Sequence, residues 1–296
     1  MHDGLPPVLL LGGPTSAGKT AASLAVAERF GAEVVSADAM QVYRGMDIGT
    51  GKASAEEQAV ARHHGLDVVD PDQPFDATDF VALADRARVE AGRVVVVGGT
   101  SLYLRGFVRG FVPTPAVDPA LRAELEAIDD LHAVLAEVDP VLAARLHPND
   151  RVRLVRGVEV FRQSGQRLSE LQAAHAAAPD RVASKRLWLD RDDLSERIDA
   201  RVHQMVADGY VDEVQRLLEA GYGPELKPMQ SLGYRHLCEH LLGDLSLDEA
   251  VRRTQRDTRR FARKQRTWQN TLRFDAVDAR DVDEVLNAAA ALWGAR

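Results

Sequence analysis

The stretch that most constrains this chain is Val8 to Thr20, an apolar run followed directly by a glycine-rich turn. Val8, Leu9, Leu10 and Leu11 show no polar alternation, the pattern of a strand buried on both faces of a parallel sheet. Gly13-Pro14-Thr15-Ser16-Ala17-Gly18-Lys19-Thr20 fits the phosphate-cradling loop G-x-x-x-x-G-K-[ST]. Its glycines let successive N–H groups converge on one anion, and a helix beginning near Gly18 adds the positive end of its dipole. Lys19 supplies a full charge, and the Thr20 hydroxyl can ligate magnesium. The helix Ala21 to Phe30 is closed by Gly31, so strand, loop and helix stand in the required order. Such a loop is the nucleotide-binding type and specifies a pyrophosphate group, not what is done with it.

The expected architecture is α/β, a P-loop NTPase-like parallel sheet flanked by helices with an inserted small all-helical domain. Glu33 to Ser36 reads as a second buried strand, delivering Asp38-Ala39-Met40-Gln41 to its carboxyl end, where open parallel sheets bind ligands. Asp38 is therefore expected beside the phosphate loop. Three glycines and Lys52 between Val42 and Lys52 suggest a second loop near the anion. A helix is expected over Ala53 to Ala61, a strand over Leu66 to Val69, and a helix capped by Asp76 and Asp79 from Phe80 to about Ala91. His63-His64 reads as a turn. Arg93 to Val97 is the strongest strand, and it ends in Gly98-Gly99-Thr100, where P-loop hydrolases and kinases often carry a magnesium-binding acid.

The proline-rich joint at Pro113 to Pro119 marks a boundary, giving a catalytic core at 1–117 and 184–296 and a helical insertion at 118–183. Asp118-Pro119 and Asp139-Pro140 each pair a cap with proline at the first helical position. A third helix is expected from Arg151 to Gln163, then a polar loop from Ser164 to Glu170 and an alanine-rich tail at Ala173 to Ala178. Lys185 to Leu189 returns to the sheet, and Asp193 with Glu196 reads as a capping box for a helix that buries Leu194, Ile198, Val202 and Met205. Lys227 to Arg235 is a loop entering another helix. From Arg252 to Arg266 the chain carries eight basic residues against one acid, with Thr254, Phe261 and Trp268 as a seven-residue apolar stripe. In a chain of net charge −8, so dense a cationic helix argues for a polyanionic partner.

Other patterns exclude more than they offer. His236-Leu237-Cys238-Glu239-His240 matches H-x-x-E-H, but no clear third ligand stands in the sequence and so short a pattern arises by chance, with Cys238 read as core. Ser16 and Ser101 have no histidine–acid partners that would suggest acyl chemistry. The single cysteine, Cys238, rules out a disulfide framework and points to a reducing cytoplasm. The N-terminus lacks a basic region ahead of its apolar run, and no segment approaches a membrane span, so no membrane partner is expected.

Taken together, Gly13 to Thr20, Asp38 with the run Met40 to Thr50, Gly98-Gly99-Thr100-Ser101-Leu102-Tyr103, His147 to Arg151, Arg197 to Val202, Gly233-Tyr234-Arg235 and Ala262 to Trp268 resemble tRNA dimethylallyltransferases, also called tRNA isopentenyltransferases. The resemblance spans nearly the whole chain in order. It departs at Ser16-Ala17, at Gly51 and Ala53, at Ser101, and at Gln269-Asn270, where the family more often has an aromatic and a basic residue. It implies transfer of the five-carbon unit of dimethylallyl diphosphate to the exocyclic N6 amine of the adenosine 3′ of the anticodon, in tRNAs reading U-starting codons. It implies catalytic roles for Asp38, Thr100 and Arg235, diphosphate binding at Gly13, Pro14, Thr15, Ser16, Ala17, Gly18, Lys19 and Thr20, and Mg2+ on Thr20. It implies tRNA contacts at Asp38, Ala39, Met40, Gln41, Thr100, Arg122, Gln166, Arg167, Leu168, Ser169 and Glu170, and a monomer is expected. Competing readings are an adenylate isopentenyltransferase acting on free nucleotide, a P-loop small-molecule kinase, and a non-catalytic RNA-binding module.

Overall fold

A computed structural model describes residues 4–294 of the chain. The first half of the fold runs β1 (Val8–Gly12), α1 (Lys19–Phe30), β2 (Glu33–Ser36), α2 (Ala55–Val60), β3 (His63–His64), α3 (Ala77–Ala91), β4 (Val94–Gly98) and α4 (Ser101–Arg109). Five helices follow: α5 (Pro119–Glu126), α6 (Leu131–Val138), α7 (Pro140–Ala143), α8 (Arg151–Ser164) and α9 (Leu168–Ala177). The chain closes with β5 (Ser184–Asp190), α10 (Leu194–Ala207), α11 (Tyr210–Glu219), α12 (Tyr234–Leu241), α13 (Leu247–Arg266), β6 (Asp275–Asp278) and α14 (Val282–Trp293).

The six strands form one sheet in the order β3-β2-β4-β1-β5-β6, every neighbouring pair parallel. The apolar runs read from the sequence are its central strands. In β1, Val8 and Leu10 pack into the core on one face, with Val35, Val96, Phe80 and Phe107. Leu9 and Leu11 pack into the other, with Val26, Phe30, Val95 and Leu189. A strand that buries both faces needs no polar alternation, which is why Val8 to Leu11 has none.

Several local expectations change. Over Leu66 to Val69 the chain makes only an isolated parallel bridge, Val69 to Tyr43; the edge strand is His63–His64, and Asp67 adopts φ 53, a left-handed conformation that interrupts the extended run. α2 covers only Ala55–Val60, held by a capping box between Ser54 and Glu57. Asp193 does not cap α10 with its side chain; its carboxylate pairs with Arg191 instead. The chain divides into two compact units, the sheet unit up to Arg109 and from Arg181, and a helical unit at Gly110–Asp180. The helical unit thus begins earlier than the proline-rich joint. Val112 already packs against its core, while Arg181 and Val182 donate backbone hydrogen bonds to Val108 and belong to the sheet unit.

The helical unit has its own core of Leu125, Leu131, Leu135, Leu154, Val158 and Leu168. Asp118, Asp139 and Asp150 cap α5, α7 and α8 as the sequence suggests, and Asp130, not singled out there, caps α6. The polar loop expected at Ser164 to Glu170 is confined to Gly165, Gln166 and Arg167, because α8 runs to Ser164 and α9 starts at Leu168, and the alanine-rich stretch is the body of α9. Among the described residues no helix is long and apolar enough to cross a membrane.

Candidate active site

The site sits at the carboxyl ends of β1, β2 and β4, where the chain turns sharply three times. After β1, Gly13 passes so close to β5 that a Cβ there would lie 2.3 Å from the Leu189 carbonyl oxygen. Ser16 adopts φ 65 and Gly18 φ 109, so the loop from 13 to 18 curls back on itself before α1 begins. The N–H groups of Gly18, Lys19 and Thr20, the orphan donors of this helix start, make no hydrogen bond to protein among the described residues. Lys19 Nζ folds over the loop and donates to the carbonyls of Gly13 (2.9 Å) and Pro14 (2.7 Å). Burial lowers the Lys19 pKa to about 8, against the raising effect of the Asp38 carboxylate and with the Arg201 guanidinium lowering it further.

After β2, Asp38 Oδ1 accepts from the Met40 N–H at 2.8 Å, which fixes the carboxylate in a turn and leaves its second oxygen without a protein donor among the described residues. After β4, a Cβ on Gly98 would lie 2.2 Å from the Ala37 carbonyl oxygen, so the β2 and β4 exits touch backbone to backbone. Thr100 then donates its N–H to Ala37 (3.2 Å) and accepts with Oγ1 from the Ala39 N–H (3.1 Å), leaving the hydroxyl hydrogen available to a ligand. The structure therefore brings the phosphate loop, Asp38 and Thr100 to one place. The Gly98-Gly99 ending serves close packing, which an acidic side chain would prevent.

Three residues that lie in the family-resembling segments, but to which the sequence reading gives no site role, complete the site. Arg201 of α10 is largely buried, and burial lowers its pKa while Asp38 raises it. Arg197, one turn earlier, donates from Nε to the Ser16 carbonyl at 3.0 Å, bracing the strained part of the loop. Gln265 of α13 accepts from the Thr15 N–H (2.9 Å) and donates to the Gly99 carbonyl (3.1 Å), clamping the phosphate loop to the end of β4. Beside Arg201 opens a cavity of about 580 Å³, with Asp47, Ile48, Gly51, Lys52 and Met205 among its walls.

Family comparison bears on this geometry directly. The family model for IPP transferase matches residues 41–272, and that for isopentenyl transferase matches residues 6–73. The chain belongs to the IPP transferase family. Among relatives of this transferase, the tRNA dimethylallyltransferase 1 of Syntrophotalea carbinolica is 50% identical over 281 residues, 91% of this chain and 90% of that one. The tRNA dimethylallyltransferase of Geobacter metallireducens is 48% identical over 273 residues, covering 88% of each. Among solved structures, the full-length tRNA isopentenylpyrophosphate transferase of Bacillus halodurans superposes with a TM-score of 0.71 at 33% identity, covering 97% of this chain and 96% of that one. A eukaryotic dimethylallyltransferase acting on tRNA superposes at 0.81 with 26% identity, covering 94% and 75%.

Elsewhere the transferase uses several expected site residues differently. Gln41 is spent on structure, accepting from the Ser36 hydroxyl (2.7 Å) and donating to the carbonyls of Thr50 and Gly51. Met40 packs against the core. Lys52 does not reach toward the anion; its ammonium is held by the Tyr43 carbonyl, Asp47 and Asp67. Arg235 pairs with Asp257 of α13, alongside His236, and has no hydrogen bond to the phosphate loop among the described residues. His236 and His240 are directed apart, to Asp257 and to the Leu245 carbonyl, and Cys238 is buried.

Within the helical unit, Gln166, Arg167 and Glu170 are exposed, whereas Leu168 is core and Ser169 is buried, donating its N–H and hydroxyl to Asp139. Leu168 and Ser169 therefore shape the unit and are not free to touch a ligand. Arg122 pairs with the fully buried Glu159, which also takes Arg156 and the Asp118 N–H.

On α13, five of the eight basic residues are paired with carboxylates: Arg252 and Arg253 with Glu249, Arg256 with Asp257, Arg259 with Asp199 and Arg266 with Asp190. Arg260, Arg263 and Lys264 are exposed and have no carboxylate partner among the described residues. The expected apolar stripe is buried only at Thr254. Phe261 is 41% exposed and Trp268 half-buried, and the buried face of α13 is Ala250, Val251, Thr254, Ala262 and Gln265.

Proposed function

We propose that this chain transfers a dimethylallyl group from dimethylallyl diphosphate to the N6 amine of the adenosine 3′ of the anticodon, in tRNAs that read codons starting with U. The observation that carries the reading is the junction of Lys19 and its free helix-start amides with Asp38 and Thr100 at adjoining strand ends.

In that reaction the bond between the allyl carbon and the diphosphate oxygen breaks, and the electron pair leaves with the diphosphate. Lys19, Arg201 and the N–H groups of Gly18 to Thr20 are suited to neutralise the charge that grows there. The N6 lone pair forms the new carbon–nitrogen bond while its proton passes to the free oxygen of Asp38. Thr100 can donate its hydroxyl hydrogen to the base or the diphosphate. Ile48 and Met205 give the adjoining cavity an apolar flank for the five-carbon chain. Thr20 is exposed in the first turn of α1 and its hydroxyl carries no hydrogen bond among the described residues, which fits an oxygen ligand to Mg2+. Magnesium, when bound, supplies divalent charge against the diphosphate. Arg260, Arg263 and Lys264 are suited to tRNA phosphates, and Gln166, Arg167 and Glu170 to contacts along the tRNA. A buried, lone Cys238 suits a reducing cytoplasm.

Labelled dimethylallyl diphosphate incubated with unmodified tRNA, with AMP, or with neither tests the reading. Label entering tRNA alone is expected. Transfer only to AMP, or consumption of ATP without transfer, would reject it.

A further inference from the structure

Glu213 takes no part in the chemistry above, yet its carboxylate is among the most fully committed groups in the sheet unit. It lies on α11 at 2% exposure. Its Oε2 accepts from the N–H groups of Asp47 (3.0 Å) and Ile48 (2.7 Å), and its Oε1 from the N–H of Gly49 (3.1 Å) and the Tyr234 hydroxyl (2.6 Å). No cation pairs with it among the described residues. Three consecutive backbone N–H groups converging on a carboxylate form an anion nest, here filled by the protein's own side chain. Tyr210 closes the clamp, because a Cβ on Gly49 would lie 2.1 Å from its ring, and that ring packs edge-on against Tyr234 at 5.0 Å.

What the clamp holds is the other wall of the donor site. Gly51 follows two residues after the clamped segment at φ 61, and a Cβ there would lie 1.7 Å from Arg201 Nη2. The Arg201 guanidinium therefore rests directly on the Gly51 backbone. From that seat it acts electrostatically on Lys19 and Asp38. Gln41 ties the same loop to the Asp38 turn through the Thr50 and Gly51 carbonyls.

We propose that Glu213 is a positioning residue for the donor diphosphate: by clamping residues 47 to 49 it holds Gly51 under Arg201 and so aims that guanidinium at the phosphate loop. The proposal rests on the diphosphate reading above. A merely structural Glu213 would satisfy loop amides and lower stability when removed, with no dependence on Arg201.

Calorimetric titration with inorganic diphosphate and Mg2+ separates the two. Glu213→Gln presents N–H donors to backbone donors and should loosen the loop, weakening diphosphate binding by about tenfold, the scale of one displaced charge-assisted contact. Arg201→Gln should weaken it at least as much, and adding Glu213→Gln to Arg201→Gln should change affinity by less than about twofold, because the two act in series. A full tenfold loss in the Arg201→Gln background overturns the proposal, as does an unchanged affinity in Glu213→Gln with only a lowered melting temperature. Where Glu213→Gln does not fold, Gly51→Ala displaces Arg201 from the other side, and unchanged affinity in that variant overturns it equally. A wild-type protein that fails to bind diphosphate would overturn the diphosphate reading itself, whereas a binding wild type with an indifferent Glu213→Gln overturns this proposal alone.

Discussion

Diphosphate binding should take up a proton through Lys19 at alkaline pH, and the amount follows from the structure. Burial brings the Lys19 pKa down to about 8 in the free protein. A bound diphosphate favours the ammonium form, so its pKa in the complex lies higher and binding draws protons in rather than releasing them. At pH 7 about nine-tenths of the free lysine already carries its proton, and uptake through this group is about 0.1 proton. At pH 9 only about one-tenth does, and uptake rises to about 0.9. The same linkage weakens affinity by about tenfold between pH 7 and pH 9. Because diphosphate titrates over this range itself, the comparison is with Lys19→Arg, whose guanidinium stays charged throughout. Calorimetry in buffers of differing ionisation enthalpy counts the protons directly. Wild type should exceed Lys19→Arg by about 0.8 proton more at pH 9 than at pH 7. Equal uptake by the two proteins at pH 9 would refute the lowered pKa and the burial argument with it.

Asp38→Asn keeps the turn but removes the base, so turnover on tRNA should fall by about a hundredfold or more while tRNA affinity stays within a few-fold; near-normal single-turnover rates would remove Asp38 from the proton's path. Replacing Arg260, Arg263 and Lys264 together with glutamine should reduce the salt dependence of tRNA binding by about 2–3 in logarithmic slope. Arg259→Gln, which loses a cation already neutralised by Asp199, should leave that slope almost unchanged in filter-binding titrations. Gly98→Ala forces a methyl to 2.2 Å from the Ala37 carbonyl oxygen and should destabilise the sheet unit by roughly 1–3 kcal/mol, read as a lowered melting temperature.

Where the sequence carried the fold, it did so through local rules. The unalternating β1 and β4, the phosphate loop, and the aspartates capping α5, α7 and α8 each answer to residues within a few positions of one another. His63–His64 escaped because a two-residue edge strand has no pattern, and Leu66 to Val69 misled because an apolar run does not reveal that Asp67 turns left-handed. The loop expected at Ser164 to Glu170 became helix from Leu168 because the buried Asp139, distant in sequence, accepts from the first turn of α9. That partner restrains a polar stretch which, read alone, resembles solvent-exposed loop.

The site divides along the same line. Gly13 to Thr20, Asp38 and Thr100 were legible because strand ends of a parallel sheet converge wherever the strands do. The roles of Arg201, Gln265 and Glu213 were not, since each acts on a segment far along the chain, Gln265 on Thr15 across 250 positions. Charge density along α13 misleads for the related reason that a sequence shows arginines but not their partners. Five of its eight cations are paired with carboxylates, three of them with carboxylates of the helix itself, so the unpaired charge lies on Arg260, Arg263 and Lys264. The paired arginines have a different consequence. Arg259 ties α13 to α10 through Asp199 and Arg266 ties it to the end of β5 through Asp190, fixing the turn from which Gln265 reaches the phosphate loop. One helix thus presents its free charge outward and its amide inward, and the ion pairs that cancel most of its charge are what hold that amide in register with the diphosphate cradle.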